Sequence, residues 1–277
     1  MGPTPPSAEV LPTPPPPERG RALVTGASAG IGWELARCLA AEGWDLILTA
    51  RRRERLVELS EQIRNEAGCD ALVVPCDLST PDGAARLARE LEERSLWVEI
   101  LVNNAGFGHH GRFWTMELDR GLDMIQVNVT AVTELAHRLL PPMVEAKRGR
   151  ILNVASTAAF QPGPNMAVYY ASKAYVLSFS EALREELRGT GVTVTALCPG
   201  PTRSEFGQQA GFGDSVFLDK LPRPSSRTMA EYGVRALLRG KGVAVEGLLN
   251  RMHVFTLRFL PRGLVLRLVR RFQEVRG

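Results

Sequence analysis

Two periods of hydrophobicity take turns along this chain. From Arg21 onward, short unbroken apolar runs give way to longer stretches in which apolar residues return every third or fourth position, and the exchange repeats. The short runs are Ala22–Val24, Asp45–Ala50, Ala71–Cys76, Glu99–Val102, Arg150–Ala155 and Val192–Leu197, and each predicts a buried strand. The periodic stretches predict helices over 33–42, from the arginines at 51–53 to about Ala67, over 81–94, from Glu117 to about Ala146, and over 167–188. Strands and helices alternating in this way predict an α/β fold: a single-domain, Rossmann-like, doubly wound parallel sheet with helices on both faces. Sheets of this kind bind ligands beyond the carboxyl ends of their strands, so the residues that follow each strand are the first to read for chemistry.

After the first strand stands Thr25-Gly-Ala-Ser-Ala-Gly-Ile-Gly32, with Gly26, Gly30 and Gly32 spaced around Ser28, Ala29 and Ile31. Glycines permit a tight turn and let a pyrophosphate approach the backbone, where the N-terminus of the next helix offers free N–H groups and a positive dipole. The Ser28 hydroxyl adds a donor. A reader of an unmodified ribose would be an acidic residue at the end of the second strand; this chain has Ala50-Arg-Arg-Arg53 there. Cations suit a 2′-phosphate, which makes NADP(H) the expected cofactor, with Arg51 and then Arg52 as its readers. The competing reading is that these arginines are the solvated start of a helix.

The stretch Ser156 to Lys173 carries the second concentration of chemistry. Tyr169 and Lys173 are four positions apart, one turn along the same face of a helix. An ammonium fixed beside a phenol favours the phenolate, so the Tyr169 pKa is expected below its ordinary value of about 10. Tyr169 then suits the role of general acid toward a developing alkoxide. Ser156, thirteen residues upstream at the end of a predicted strand, can donate to the same oxygen. A Tyr and a Lys at this spacing also occur as a half-buried ring beside a solvated amine, so the pair gains meaning only with the glycine turn upstream.

Together these pieces resemble the short-chain dehydrogenase/reductase family, of the short single-domain type. The match is Thr25–Gly32, Asn103-Asn-Ala-Gly106, Asn128 in Val-Asn-Val, Ser156, Tyr169 with Lys173, and Pro199-Gly200, in order over about residues 21–205. The resemblance implies an NADP-dependent oxidoreductase moving a hydride between nicotinamide C4 and a carbonyl or secondary alcohol. It implies that Tyr169 is the acid/base, that Lys173 lowers its pKa and binds the nicotinamide ribose, and that Ser156 orients the carbonyl. Asn128 would hold a water linking Lys173 to solvent. Asp77 and Leu78 would meet the adenine, Asn104, Ala105 and Gly106 the cofactor wall, and Pro199, Gly200 and Thr202 the nicotinamide. Some NADPH-preferring relatives carry a basic residue where this chain has Ala29, so specificity would rest on Arg51 and Arg52. Relatives associate through the counterparts of helices 117–146 and 167–188, which implies a homodimer or homotetramer.

Gln161 and Met166, with Pro162 beside them, fall between Ser156 and Tyr169 and are expected to line the substrate pocket; their neutral character suits a small-molecule carbonyl or alcohol without an obligatory charge. His109 and His110 lie on a loop that could border it. A glycine- and proline-rich segment at about 203–226 is expected to form a lid. Residues 1–20 hold eight prolines and are expected to be an extended, disordered leader, with proline-motif docking as the alternative.

Charge is concentrated at the other end. Residues 251–277 contain seven arginines against Glu274, a net of +6 within a chain of net +4, so everything before them sums to −2. The basic character is therefore not a domain-wide nucleic-acid surface. In Pro261–Phe272 arginines mix with apolar residues as in an interfacial helix, which makes peripheral membrane contact one expectation. Docking of this extension onto the body or a neighbouring subunit, or attraction to an acyl carrier or coenzyme A thioester, are the others. No apolar run approaches the roughly 18 residues that cross a bilayer, and no secretory pattern opens the chain. Cys38, Cys69, Cys76 and Cys198 show no metal-ligand spacing, which suggests reduced thiols in a cytoplasmic protein without a metal. Two readings compete with the enzyme: an NADP(H)-binding regulator without turnover, and a membrane-surface scaffold.

Overall fold

The computed structural model describes residues 20–202 and 224–273. In chain order the elements are β1 (Arg21–Thr25), α1 (Gly30–Ala41), β2 (Leu46–Thr49), α2 (Arg53–Ala67), β3 (Ala71–Val73), α3 (Gly83–Glu93), β4 (Val98–Asn103), α4 (Leu118–Ile125), α5 (Ala131–Glu145), β5 (Gly149–Val154), α6 (Ala167–Glu186), β6 (Val192–Cys198), α7 (Ser226–Leu238), β7 (Val243–Val245), α8 (Leu248–Leu257) and α9 (Arg262–Gln273). The strands form one parallel sheet in the order β3-β2-β1-β4-β5-β6-β7. Parallel strands are buried on both faces, and Leu46–Thr49 and Val98–Asn103 are buried at every position, the polar Glu99 and Asn103 of the latter being hydrogen-bonded. Leu35, Leu39, Leu56, Leu59, Ile63, Met229 and Val234 bring α1, α2 and α7 onto one face. Leu87, Leu91, Leu135 and Leu183 bring α3, α5 and α6 onto the other.

Four differences from the sequence expectation have physical causes. The seventh strand is three residues long, too short to show a period, and gains its identity by pairing Val243–Val245 with Ala196–Cys198. Strand β3 ends at Val73 because Pro75 has no N–H, although the Val74 and Cys76 amides still donate to Leu48 and Ala50 carbonyls. The single long helix expected over 117–146 is two helices joined by a π-helical turn, Gln126–Thr130. Gly20, counted with the leader, is buried and donates its N–H to Glu99 at 2.9 Å. Residues 1–19 of the leader and 203–223 of the expected lid lie outside the described residues; the end of the latter span is the cap of α7, where Ser225 accepts from the Thr228 amide.

A buried polar chain ties the middle of the sheet to α6. Asn103 donates to Asn153 on the adjacent strand at 2.9 Å, and Asn153 donates to the Ser180 hydroxyl at 2.9 Å. Buried amides are stabilising only when paired, so this chain fixes α6, and with it Tyr169 and Lys173, against the strands.

Candidate active site

The sheet order changes direction between β1 and β4, and every candidate residue after a strand lies at that carboxyl edge. Gly26 turns the chain with φ +65° and Gly30 opens α1 with φ +58°. A Cβ on Gly32 would stand 2.3 Å from Asn104 Nδ2 and 2.4 Å from the Gly26 carbonyl, so the turn closes only on a glycine. Asn104 holds that turn from the far side: its side chain donates to the carbonyls of Thr25 and Gly26, while its amide and that of Ala105 donate to the Thr25 hydroxyl. Ala29 is extended, no side chain caps α1, and no acidic residue occupies its first turn. The helix therefore presents uncapped N–H groups and an uncompensated positive end toward Ser28–Gly30.

Arg52 reaches back over this turn, with Nε 3.3 Å and Nη2 3.2 Å from the Ser28 hydroxyl. Arg51 is exposed beside it and helps hold the Asp77 carboxyl down. Burial alone would raise the Asp77 pKa, but the Ser79 amide and hydroxyl donating to it, with Arg51 and Arg86, bring it below the usual carboxylate value. Leu78 is buried behind it.

On the other side of the edge, Tyr169 and Lys173 are both buried on α6. Lys173 Nζ donates to the Val154 carbonyl at 2.8 Å and lies 5.9 Å from the centre of the Tyr169 ring. Ser156, two residues beyond β5, caps a short 3₁₀ turn, accepting from the Ala158 amide at 3.1 Å, and its hydroxyl also bonds the Tyr169 phenol. Pro199 closes this wall, its carbonyl accepting from the Thr157 amide and the Ser156 hydroxyl; Gly200 packs against Asn250, and Thr202 donates to the Gly200 carbonyl.

Asn128 sits in the π turn, a local distortion often found where a side chain must be re-aimed. Its amide nitrogen donates to the Phe107 carbonyl and the Ser172 hydroxyl, and its oxygen accepts from the Phe107 amide. A side chain at Gly106 would stand 3.0 Å from Asn128 Oδ1 and 3.3 Å from Lys173 Nζ, so the glycine leaves both groups bordering one space.

The expected fall of the Tyr169 pKa is corrected. Burial pushes the phenol up to about 12, and the Ser156 hydroxyl offsets only part of that. Burial also lowers the Lys173 amine to about 8, with nearby Cys198 acting weakly the other way. Two buried neighbours each avoid charge, because both have lost the water that would solvate it, and this outweighs their proximity.

The space beside Tyr169 is a narrow cleft lined by His109, Phe113, Met116, Met124, Asn165 and Met166. Its outer rim joins the expected Gln161 and His110 to Tyr170, Asn165 and Gln273, which sequence reasoning passed over. Tyr170 sets its ring edge-on to Tyr169, 6.1 Å between centres, and accepts from Gln273 Nε2 at 2.6 Å and from Gln161. The Gln273 carbonyl in turn meets His110 Nε2 and Asn165 Nδ2, each at 3.1 Å. Ser172, hidden inside Tyr-Tyr-Ala-Ser-Lys, links Asn128 to the Tyr169 carbonyl. Only Tyr170 and Ser172 carried a signal, their adjacency to the Tyr/Lys pair. Among the described residues no group of three His, Cys, Asp or Glu could hold a metal.

Residues 21–212 match the family described as short chain dehydrogenase. The chain belongs to the short-chain dehydrogenase family. Among its relatives, a sulfoacetaldehyde reductase 2 of Chromohalobacter salexigens is 34% identical over 85% of this chain and 94% of its own. A putative ketoacyl reductase of Streptomyces coelicolor is 40% identical over 65% of this chain and 69% of its own. A short-chain dehydrogenase from Sphingobium yanoikuyae, solved in complex with NADPH, superposes with a TM-score of 0.79 at 31% identity, covering 89% of this chain and 95% of its own. The protein is thus a short-chain oxidoreductase with the Rossmann-like sheet of its family.

Proposed function

We propose that this short-chain dehydrogenase is an NADPH-dependent reductase of carbonyl compounds, with Tyr169 as its general acid. The observation carrying the reading is the convergence of Ser156, Tyr169 and Lys173 in one buried site at the strand edge that holds the glycine turn. The turn fits a dinucleotide: an uncapped helix end and Ser28 suit the pyrophosphate, and Arg51 with Arg52 suit a 2′-phosphate. Bound there, the cofactor supplies the hydride. Asp77 and Leu78 would meet its adenine, Asn104, Ala105 and Gly106 would form its wall, and Pro199, Gly200 and Thr202 would border the nicotinamide.

The protein's own part is orientation and proton delivery. The Ser156 and Tyr169 hydroxyls both donate to the substrate oxygen and fix the carbonyl. As that oxygen becomes an alkoxide, Tyr169 gives it the phenolic proton. A phenol pushed up to about 12 is protonated at neutral pH, which suits the reductive direction. Lys173, set at about 8 by burial, gains its full charge when a phenolate appears beside it, and its remaining N–H groups are donors for ribose hydroxyls. Asn128 acts on this amine through the space that Gly106 leaves open.

The neutral side chains of Met166 beside Tyr169 and of Gln161 at Tyr170 suit an aldehyde or ketone without an obligatory charge. The subunit contact runs along Leu118, Leu122 and Ile125 of α4, exposed apolar residues on one helical face, and gives a homodimer or homotetramer. Buried Cys38, Cys69 and Cys198, which form no disulfide, suit a cytoplasmic enzyme.

The test is to follow NADPH and NADH oxidation over a panel of apolar ketones and aldehydes, with Tyr169→Phe beside the natural protein. Turnover preferring NADPH and lost in the variant is the expected result. Tight NADPH binding with no turnover of any carbonyl, in either protein, would favour a cofactor-binding regulator instead.

A further inference from the structure

The C-terminal helices carry an exposed surface that the reductase reading does not use. On α8, Leu248, Met252 and Phe255 fall at positions i, i+4 and i+7, within about 60° of arc on a helix of 3.6 residues per turn. Phe259, in the turn that follows, continues the stripe and sets its ring against Phe255, 5.2 Å between centres. Leu248 and Phe259 are 72% and 71% exposed. Val254, on the opposite side, is the buried residue that holds α8 to the body. Helix α9 instead turns a cationic face outward. Val265 and Val269 face inward, Leu264, Leu266 and Leu268 are exposed on its flanks, and Arg267, Arg270 and Arg271 stand out between them. Arg258 and Arg262, also exposed, link the two stripes.

We propose that α8 and α9 form a docking surface for an anionic lipid bilayer. Apolar side chains flanked by arginines are the chemistry of a helix that lies in the headgroup plane, leucines and phenylalanines below and guanidinium groups among the phosphates. Among the described residues no helix is long and apolar enough to cross the bilayer, so the contact is one of lying on it. A second copy of the chain on this face, related by a two-fold axis, would set arginines against arginines. An acidic protein partner would use the cations and leave the stripe of Leu248, Met252 and Phe255 in water.

The orientation gives the surface a consequence. The last described residue of α9, Gln273, is the one bonded to Tyr170 at the rim of the cleft. One helix thus carries the lipid-facing arginines and ends against the ring beside Tyr169, which brings the cleft mouth within reach of an apolar substrate dissolved in the membrane.

The experiment is flotation of the full-length protein with vesicles of phosphatidylcholine alone and of phosphatidylcholine with phosphatidylglycerol, at low and high salt. Binding to the anionic vesicles that falls with salt is expected. Replacing Arg258, Arg262 and Arg267 by Gln should weaken it about a hundredfold, and replacing Leu248, Met252 and Phe255 by Ser should abolish it. Melting temperature and NADPH binding of both variants, at exposed positions, report that they fold. No binding to anionic vesicles would overturn the proposal. So would binding that survives the serine variant, the mark of charge alone, and so would a serine variant that only breaks an oligomer apart.

Discussion

The two ends of the cleft are built in different ways. The nucleotide end is made of backbone: a glycine turn, an uncapped helix terminus and two adjacent strand ends, laced together by Thr25 and Asn104. The substrate end is made of side chains brought from far apart. Gln273 meets Tyr170, Asn165 and His110 across 103, 108 and 163 residues of sequence. Backbone geometry follows from residue types that are few and conspicuous, chiefly glycine. Side-chain walls accept many residue types, so local sequence marks them less.

Tyr169→Phe separates the two ends most sharply. Turnover should fall by about 10²–10⁴-fold, the usual worth of a positioned acid, while NADPH binding is unchanged by direct titration. More than about a tenth of the natural activity in this variant would remove Tyr169 from its role. Arg52→Ala should act at the nucleotide end alone. Loss of a charge-assisted contact worth about 1.5–3 kcal/mol should weaken NADPH binding about ten- to a hundredfold and leave NADH binding near its original value. Equal losses for both cofactors would mean that Arg52 merely props Ser28.

Between the two ends stands Lys173, whose burial can be read in the pH dependence of stability. Its amine titrates near 8 in the folded protein and at 10.5 when free. Between those values the unfolded chain holds a proton that the folded chain has lost, so the unfolding free energy should rise with pH there, by up to about 1.4 kcal/mol per unit. Tyr169, raised to about 12, acts oppositely only above its ordinary value of 10. Denaturant melts of natural protein and Lys173→Met from pH 8 to 10 should show the steeper rise in the natural protein. Parallel slopes would put this amine in water. The smallest effect is expected at the rim. Gln273→Ala removes one hydrogen bond to Tyr170 and should raise KM for the carbonyl substrate about two- to tenfold, with the NADPH dissociation constant unmoved.

Reading the chain unaided reached the alternation of elements, the glycine turn, and the placement of Ser156, Tyr169 and Lys173, because each depends on local period or local backbone freedom. Gly32 was legible for the same reason: the turn leaves no room for a Cβ. The π turn at Asn128 was not, since a single inserted residue barely disturbs an apolar period. The direction of the Tyr169 shift was missed because the sequence shows which groups are neighbours and not how much water surrounds them. Likewise the arginine-rich C-terminus was visible as composition, yet its two outcomes, an exposed lipid-like face and a last turn closed on Tyr170, needed the fold. Local rules fix what the backbone must do at each strand end. Burial and long-range contact are properties of the assembled whole, and only the tertiary structure decides them.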